Sequence, residues 1–210
     1  MKANAENGPY DSASGPKVRT PMETLFKANI ERYGIVTESE QALLEAVLTR
    51  RTIAKGTVLL QQGAIASKLW FLLSGHCYQY RFDSAMEEQV VALHAAGDWV
   101  IQQQSFVSRA PSEYEVKAYS DCTLYELTID AVHGLIARTP GFFKLGQILD
   151  IQPSEREQLQ QCANPTEQYR YILEKRPELL QGFPQKMIAS YLNMTPETLS
   201  RARKKLLRDP

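Results

Sequence analysis

The sequence predicts an α+β protein in which a compact β region lies between helical segments. From Arg51 to Thr128, short runs rich in β-branched and aromatic residues alternate with turn signals about every eight to twelve residues, which is typical of an antiparallel barrel or sandwich. Helical periodicity precedes this region from Pro21 and returns after Asp130. We therefore expect helices, a β domain, a connecting helix and a C-terminal group of short helices.

The composition is that of a globular protein with a substantial core. The chain has 210 residues, of which 43% are hydrophobic, and its 24 basic residues balance 24 acidic ones. No apolar run approaches the roughly 18 residues of a membrane helix, and residues 1–20 lack the apolar segment of a signal peptide. We expect a cytoplasmic protein that makes no membrane contact. Residues 1–20 are polar and rich in Gly, Pro, Ser and Asn, which predicts a flexible tail.

Cysteine usage argues against a disulfide framework or a metal cluster. Cys77, Cys122 and Cys162 are widely spaced and odd in number. An iron–sulfur cluster usually needs four clustered thiolates, which this chain cannot supply. We therefore expect no cofactor.

Two short helices are predicted before the β region. The first has one apolar stripe, formed by Met22, Leu25, Phe26, Ile30 and Tyr33. Thr37, followed three residues later by Glu40, gives a capping-box pattern ahead of the second helix. Turn signals in the following β region fall at Gly56, Gly63, Gly75, Asp83 and Gly97.

The segment PQKMIASYLNMTPETLSRARKK has the pattern of two helices joined by a tight turn. The first helix would bury an apolar face made by Met187, Ile188, Tyr191 and Leu192. Asn193 suits the turn because asparagine tolerates the left-handed conformation. Thr195 is a favourable N-cap, and Pro196 fits the first position of the second helix. This is the helix-turn-helix pattern.

The second helix of this pair has two chemically different sides. At about 100° per residue, Leu199, Ala202 and Leu206 lie on one side. The opposite side carries Glu197, Arg201, Lys204 and Arg208. Arginine can pair with guanine and glutamate with the cytosine amino group, as in a recognition helix in the major groove. The alternative is a basic but merely solvated helix face. On the DNA-binding interpretation, the contact residues are Thr195, Glu197, Thr198, Ser200, Arg201, Lys204 and Lys205.

Charge is distributed unevenly along the chain. Residues 164–210 hold nine basic and five acidic residues, a net charge of +4, so residues 1–163 carry −4. The overall neutrality is the sum of two unlike parts, and the basic part is the one with the helix-turn-helix pattern. This asymmetry favours a nucleic-acid partner for the C-terminal part.

The stretch IASYLNMTPETLSRARKKL resembles the helix-turn-helix of the Crp/Fnr transcription regulators. In that family, a Glu-Thr-x-x-x-Arg segment opens the recognition helix, and Glu197, Thr198 and Arg201 match it. The resemblance implies sequence-specific binding of double-stranded DNA at a pseudo-palindromic operator. It also implies a homodimer and RNA polymerase as a further partner.

The β region is similar to the sensor domain of the same family. AKGTVLLQQGAIASKLWFLLSGHCYQY resembles the start of a cyclic-nucleotide-binding jelly-roll, and AAGDWV resembles the stretch before its phosphate-binding cassette. The resemblance implies an N-terminal double-stranded β-helix (jelly-roll) sensor domain with flanking helices, a connecting helix and a C-terminal helix-turn-helix domain. The corresponding ranges are a tail at 1–20, the sensor domain at 21–139, the connecting helix at 140–163 and the DNA-binding domain at 164–210.

The expected phosphate-binding cassette differs in this sequence. The family places Gly-Glu at its start and Arg-Ser near its end, whereas Ile101-Gln102 and Ser112-Glu113 occupy those positions here. A cyclic phosphate would lose its guanidinium partner and face a carboxylate. We therefore expect no response to cyclic AMP or cyclic GMP. A rearranged pocket would have Gln102, Gln103, Ser112 and Glu113 at its lip, and the alternative is a barrel that serves only as a packed scaffold.

The connecting helix would join the sensor to the DNA-binding domain and pair with its mate in a dimer. Phe142, Leu145 and Leu149 have a coiled-coil-like spacing for such a seam, and the alternative is that they pack against their own barrel. Pro153 would kink or break this helix because proline removes a backbone hydrogen bond.

An enzymatic function is the main rival to the regulatory one. Small β-barrels can hold cupin metal sites, but His76, His94 and His133 lack the required spacing, so no metal site is expected. No nucleophile elbow, P-loop or catalytic carboxylate pair is present in recognisable context. The sequence predicts a non-enzymatic transcription regulator of Crp/Fnr type that does not respond to cyclic AMP. The alternative is a small-molecule sensor or interaction module of the same fold with weak DNA binding.

Overall fold

The predicted order of elements is present in the computed structural model, which describes residues 21–35, 37–84, 86–148 and 155–208. The predicted flexible tail at residues 1–20 lies outside the described residues, as do Leu149 and Pro153. The α+β fold class is confirmed: an antiparallel β-sandwich is flanked by helices and followed by a helical C-terminal domain.

Two four-stranded antiparallel sheets form the sandwich, as in a jelly-roll. One sheet has the strand order β1-β8-β3-β6 and the other β2-β7-β4-β5. The strands are β1 Thr49–Ile53, β2 Val58–Leu60, β3 Lys68–Ser74, β4 Cys77–Phe82, β5 Glu88–His94, β6 Trp99–Val100, β7 Glu115–Ala118 and β8 Cys122–Thr128. Gly56, Gly63, Gly75 and Gly97 all have positive φ between or beside strands, which confirms the turn positions predicted for them.

Helices cover the ends of the sandwich. They are α1 Pro21–Arg32, α2 Glu38–Glu45, α3 Gln103–Ser108 and α4 Ile129–Arg138. Phe26 of α1 packs edge-on against Phe71 of β3, with ring centroids 5.1 Å apart, and both are buried. The predicted capping box of α2 is confirmed, because the Thr37 side chain accepts from Glu40 N while Glu40 accepts from Thr37 N.

The segment predicted as a connecting helix over residues 140–163 is not one α-helix in its described parts. Pro140–Ile148 forms a 3-10 helix, and an α-helix, α5, follows at Glu155–Gln161. Phe142 and Leu145 are buried in the core of their own β domain, so the alternative of packing against the barrel holds for these two residues. A tight 3-10 turn brings both side chains onto the barrel core.

The C-terminal domain consists of short helices around its own buried residues. They are α6 Pro165–Lys175, α7 Pro177–Gly182, α8 Gln185–Tyr191 and α9 Pro196–Arg208. Ile172 and Leu179 are fully buried at its centre. The same apolar cluster includes Tyr80 and Val90 of the barrel, so the C-terminal domain packs on the β4–β5 face. The hydroxyl of Ser190 on α8 accepts a hydrogen bond from Val90 N at 3.0 Å, which covers part of the β5 edge.

Candidate nucleic-acid interface and interdomain cavity

The turn between α8 and α9 has the geometry that the sequence predicts. Asn193 adopts the left-handed conformation with φ 55°, and Met194 N donates to Ala189 O at 2.9 Å. Thr195 caps α9, because Thr198 N donates to its hydroxyl at 3.2 Å. Pro196 is the first residue of α9, as predicted. Local sequence therefore specifies the turn and the start of α9.

Helix α9 is divided into a buried side and a charged side. Leu199 and Ala202 are 3% and 4% exposed and pack onto the C-terminal domain, whereas Glu197, Arg201 and Lys204 are exposed. Of the remaining candidates for DNA contact, Thr195 and Lys205 are exposed, and Thr198 and Ser200 are half-buried. The charged side is therefore a continuous exposed strip along a well-supported helix.

Glu197 is held as a carboxylate at the start of this strip. Hydrogen bonds from its own backbone N–H and from the Thr195 hydroxyl lower the pKa of Glu197. Arg201, one turn later, donates from Nε to the Glu197 carbonyl at 3.4 Å. A carboxylate acceptor and a guanidinium thus lie one turn apart on the exposed side of α9.

A second feature is a cavity of about 820 Å³ between the barrel and the C-terminal domain. Its size is within the range of small-molecule sites. The polar side chains that matter in its wall are Gln79, His94, Gln102, Gln103, Glu155 and Arg176. Sequence reasoning had placed a pocket at the barrel alone, whereas Glu155 and Arg176 come from the C-terminal side of the interface.

Of the four residues predicted at the lip of a pocket, two line the interdomain cavity and two do not. Gln102 and Gln103 line the cavity, but Gln102 is 4% exposed and its Oε1 accepts from Ser105 N at 2.6 Å, which caps α3. Ser112 and Glu113 do not belong to the cavity wall. The Ser112 hydroxyl donates to Tyr114 O at 2.6 Å, and Glu113 is exposed. Only the glutamine half of the predicted set therefore faces this space.

Arg109 is the cation nearest to the expected phosphate position in sequence, and it is turned away. It adopts a left-handed conformation with φ 60° at the end of α3. Its guanidinium donates from Nη1 to the Ala66 carbonyl at 2.6 Å. The guanidinium thus serves to tie α3 to the segment before β3 instead of facing the cavity.

Arg176, between α6 and α7, joins three parts of the molecule. Its guanidinium contacts Asp98 at 2.6 Å, Glu155 at 2.7 Å and Glu178 at 2.6 Å. Asp98 belongs to the barrel, Glu155 to α5 and Glu178 to α7, so we call this group the Arg176 clamp. Sequence reasoning missed the clamp because no local pattern around Arg176 differs from that of an ordinary surface arginine.

His94 at the end of β5 is uncharged in this environment. The pKa of His94 is lowered to about 4, chiefly by burial, with Asp98 opposing the change and Arg176 adding to it. Its Nε2 lies 3.1 Å from Gln79 Nε2, and the Gln79 amide donates to Ile101 O at 3.0 Å. At this point the cavity wall therefore offers a neutral imidazole and an amide.

This low pKa predicts an acid-sensitive fold. Because the folded-state pKa lies below the usual 6.5, the stabilisation is complete above pH 6.5 and is lost as the pH falls towards 4. The loss should reach roughly 3 kcal/mol in unfolding free energy. Urea denaturation of His94→Gln at several pH values should show a flatter pH dependence than wild type. His133→Gln, on an exposed position of α4, should follow wild type, and a His94→Gln curve parallel to wild type would contradict the assignment.

The other barrel histidine contacts the C-terminal domain. His76, in the β3–β4 turn, lies edge-on against Phe183 with ring centroids 5.2 Å apart. A Cβ added at Gly182 would overlap the His76 ring, so a side chain at this position would force the ring to move. Burial lowers the pKa of His76 as well, with Glu178 opposing the change. Within the described ranges, no three or more His, Cys, Asp or Glu side chains are grouped as metal ligands.

Comparison with known proteins identifies the barrel. Residues 50–139 match the model of the cyclic nucleotide-binding domain. The match covers β1 to α4 and less than half of the chain. No curated protein sequence matches this chain.

Solved structures share the fold over most of the chain. The catabolite activator protein of Thermus thermophilus is similar with a TM-score of 0.51 and 21% identity, covering 83% of this chain and 85% of that one. The global regulator CLP of Xanthomonas campestris, described as responsive to c-di-GMP, is similar with a TM-score of 0.57 and 20% identity, and the match covers 80% of this chain and 91% of that one. FixK2 of Bradyrhizobium japonicum is similar with a TM-score of 0.59 and 18% identity, and the match covers 78% of this chain and 86% of that one. Crp/Fnr-type regulators thus have this fold. Each helix that the structure describes is too short or too polar to cross a bilayer.

Proposed function

We propose that this chain is a sequence-specific DNA-binding transcription regulator of Crp/Fnr type. The observation that carries the proposal is α9, whose exposed acidic and basic residues stand opposite a buried side, behind a turn held by Asn193. The net charge of +4 in residues 164–210 supports the same partner. The fold shared with regulators of known structure is consistent with it.

The residues of α9 divide into two roles in this proposal. Arg201 pairs with guanine O6 and N7, and Glu197 accepts from a cytosine amino group. The phosphate contacts, which fix position without reading sequence, are assigned to Thr195, Thr198, Ser200, Lys204 and Lys205. One α9 offers few base contacts, so we propose a homodimer whose two copies read the halves of a pseudo-palindrome about one DNA turn apart. RNA polymerase is the further partner expected of such a regulator.

Selection of bound sequences from random DNA tests the proposal. The full chain should enrich an inverted repeat. Arg201→Ala should lose the preference at one position of each half-site, at a cost of about 1–3 kcal/mol for a lost bidentate contact. Lys204→Ala should weaken binding to all sequences alike and reduce the salt dependence.

The exposed Arg170 of α6 provides a matched control, because it lies outside α9. Arg170→Ala should select the same sites as wild type. If Arg201→Ala and Lys204→Ala both behave like Arg170→Ala, the charged side of α9 is only a solvated surface. A single half-site in the selected DNA would contradict the dimer.

Cyclic AMP is not the effector in this proposal. Arg109 is bonded to Ala66, Glu113 carries a negative charge near the expected phosphate position in sequence, and Arg176 already faces carboxylates. The loss of one charge-assisted bond to phosphate costs about 1.5–3 kcal/mol. Isothermal titration calorimetry with cyclic AMP and cyclic GMP should give no binding heat at micromolar concentration. Low-micromolar binding of either nucleotide would contradict this prediction.

A second candidate function is favoured by the cavity between the domains. On that alternative the chain is chiefly a small-molecule sensor or interaction module, and its DNA binding is weak. The cavity volume of about 820 Å³ is the supporting observation. The same DNA selection distinguishes the two, because a module of this kind would enrich no consensus.

A further inference from the structure

Two buried cysteines from opposite sheets of the sandwich lie next to each other. Cys77 begins β4 in one sheet, and Cys122 begins β8 in the other. Their Sγ atoms are 3.8 Å apart, and both thiols are free. A disulfide has an S–S bond of about 2.05 Å, so the two sulfurs need to approach by roughly 1.8 Å to be joined. They are 45 positions apart in the chain, so the pair exists only in the folded protein.

Hydrogen bonds make the two thiols chemically unequal. Cys77 is fully buried, and its S–H donates to Cys122 Sγ. This bond raises the pKa of the Cys77 thiol and lowers that of Cys122, where burial opposes the change. Because the thiolate is the reactive form of cysteine, Cys122 is the sulfur of the pair that attacks an electrophile first.

Partly exposed turn residues cover Cys122. Gly75 and His76 of the β3–β4 turn and Ser120 of the β7–β8 turn are half-buried, and Asp121 is exposed. Gly75 presents only backbone to the sulfur, since a Cβ at this position would lie 2.8 Å from Cys122 Sγ. A small oxidant therefore reaches this sulfur by displacing turn residues, without opening the apolar core.

The same two turns support the C-terminal domain. The rings of His76 and Tyr119 both contact the ring of Phe183, with centroids 5.2 Å and 4.9 Å away. The His76 carbonyl accepts from Tyr119 N at 2.8 Å and from the Cys122 thiol at 3.3 Å. A disulfide sulfur has no proton to donate, so oxidation removes the second of these bonds and draws Cys122 towards Cys77. The change therefore falls on the residues that hold Phe183.

We propose that Cys77 and Cys122 form a reversible disulfide when the protein meets a hydroperoxide, and that this bond loosens the contact with Phe183. The Cys122 sulfur attacks one peroxide oxygen and becomes a sulfenic acid, while the O–O bond breaks and the departing oxygen takes the thiol proton to leave as water or an alcohol. The Cys77 sulfur then attacks the Cys122 sulfur, and the sulfenic oxygen leaves with the Cys77 proton as water. The two sulfurs lose two electrons in total, and the two peroxide oxygens gain them.

Peroxide treatment of Cys162→Ser tests the site, because Cys77 and Cys122 are then the only cysteines. After exposure to hydrogen peroxide, denaturation and alkylation, peptide mass mapping should find Cys77 linked to Cys122 within one chain, and dithiothreitol should restore both thiols. Limited proteolysis of the folded, oxidised protein should cleave between the barrel and the C-terminal domain at least threefold faster than in the reduced protein.

Cys77→Ala in the same background is the matched control, because it keeps Cys122 and removes its partner. Peroxide should give it no internal link and no change in proteolysis rate. If this variant does not fold, the Cys162→Ser protein before and after dithiothreitol gives the same comparison. The proposal is overturned if both thiols of the folded Cys162→Ser protein stay alkylatable after peroxide, if Cys122 is oxidised without forming a link, or if linked and reduced proteins are cleaved at equal rates.

The disulfide goes beyond the proposed function, and only an effect of oxidation on DNA binding would rest on it. Mass mapping and proteolysis use no DNA. Failure of the DNA selection would leave their results intact, so the two proposals fail separately.

Discussion

Arg176→Ala is expected to lower the unfolding free energy by about 3 kcal/mol, because it leaves the largely buried carboxylates of Glu155 and Asp98 without a cation. Arg176 side-chain exposure is only 21%, and its three carboxylate contacts are all between 2.6 and 2.7 Å. The loss should be concentrated at the contact between the barrel and the C-terminal domain. Urea denaturation measures its size, and limited proteolysis should show faster cleavage between the two domains.

Two variants define what the clamp requires. Arg176→Lys keeps the charge but replaces a planar group with five donors by a compact ammonium, so it should recover only part of the lost stability. Arg170→Ala removes an exposed arginine from α6 and should change the unfolding free energy by no more than about 0.5 kcal/mol. Equal stability of Arg176→Ala and Arg170→Ala would show that the clamp contributes nothing net to folding.

The clamp also bears on how the two domains communicate. Asp98 lies in the barrel turn before β6, and Arg176 lies at the junction of α6 and α7. Helix α6 in turn packs against α9. A change that separates this pair would remove one of the contacts that hold the C-terminal helices on the barrel, alongside the Ser190–Val90 hydrogen bond. In the proposed regulator, the position of α9 relative to its mate depends on this docking.

Gly75→Ala is expected to destabilise the barrel by about 3 kcal/mol. Gly75 has φ 86°, a left-handed conformation that costs an alanine roughly 1–2 kcal/mol. An alanine Cβ would also overlap the Asp121 carbonyl oxygen and lie 2.8 Å from Cys122 Sγ and 2.9 Å from Cys122 Cα. Since two of these three atoms belong to the backbone, relief requires the β3–β4 turn to move, which adds roughly 1–3 kcal/mol. Thermal and urea unfolding measure the sum.

Gly63→Ala separates the cost of the left-handed backbone from the cost of the close contacts that the new Cβ would make. Gly63 has nearly the same φ, 85°, but an added Cβ would meet nothing within 4 Å. It should therefore cost only the backbone term, about 1 kcal/mol. If the two alanine variants are equally stable, the close approach to Asp121 and Cys122 is relieved at no cost. Because the same turn presents His76 to Phe183 and Gly182, Gly75→Ala should also weaken contact with the C-terminal domain.

Features that depend only on neighbouring residues could be predicted from the sequence. The capping box at Thr37, the left-handed Asn193 and the Thr195 cap are all satisfied within a few residues, so local chemistry specifies them. Periodicity likewise specified the buried side of α9, because Leu199 and Ala202 recur at helical spacing.

Features that join distant residues become visible only in the folded chain. Asp98 and Arg176 are 78 positions apart, and nothing near either one in sequence indicates the other. Phe142 and Leu145 have a spacing that suits a dimer seam, yet they are buried in their own barrel, because an apolar stripe specifies burial but not its partner. The cavity could not be predicted either, because its wall comes from the barrel, α5 and the α6–α7 junction. Only the folded chain brings Gln79, Glu155 and Arg176 together.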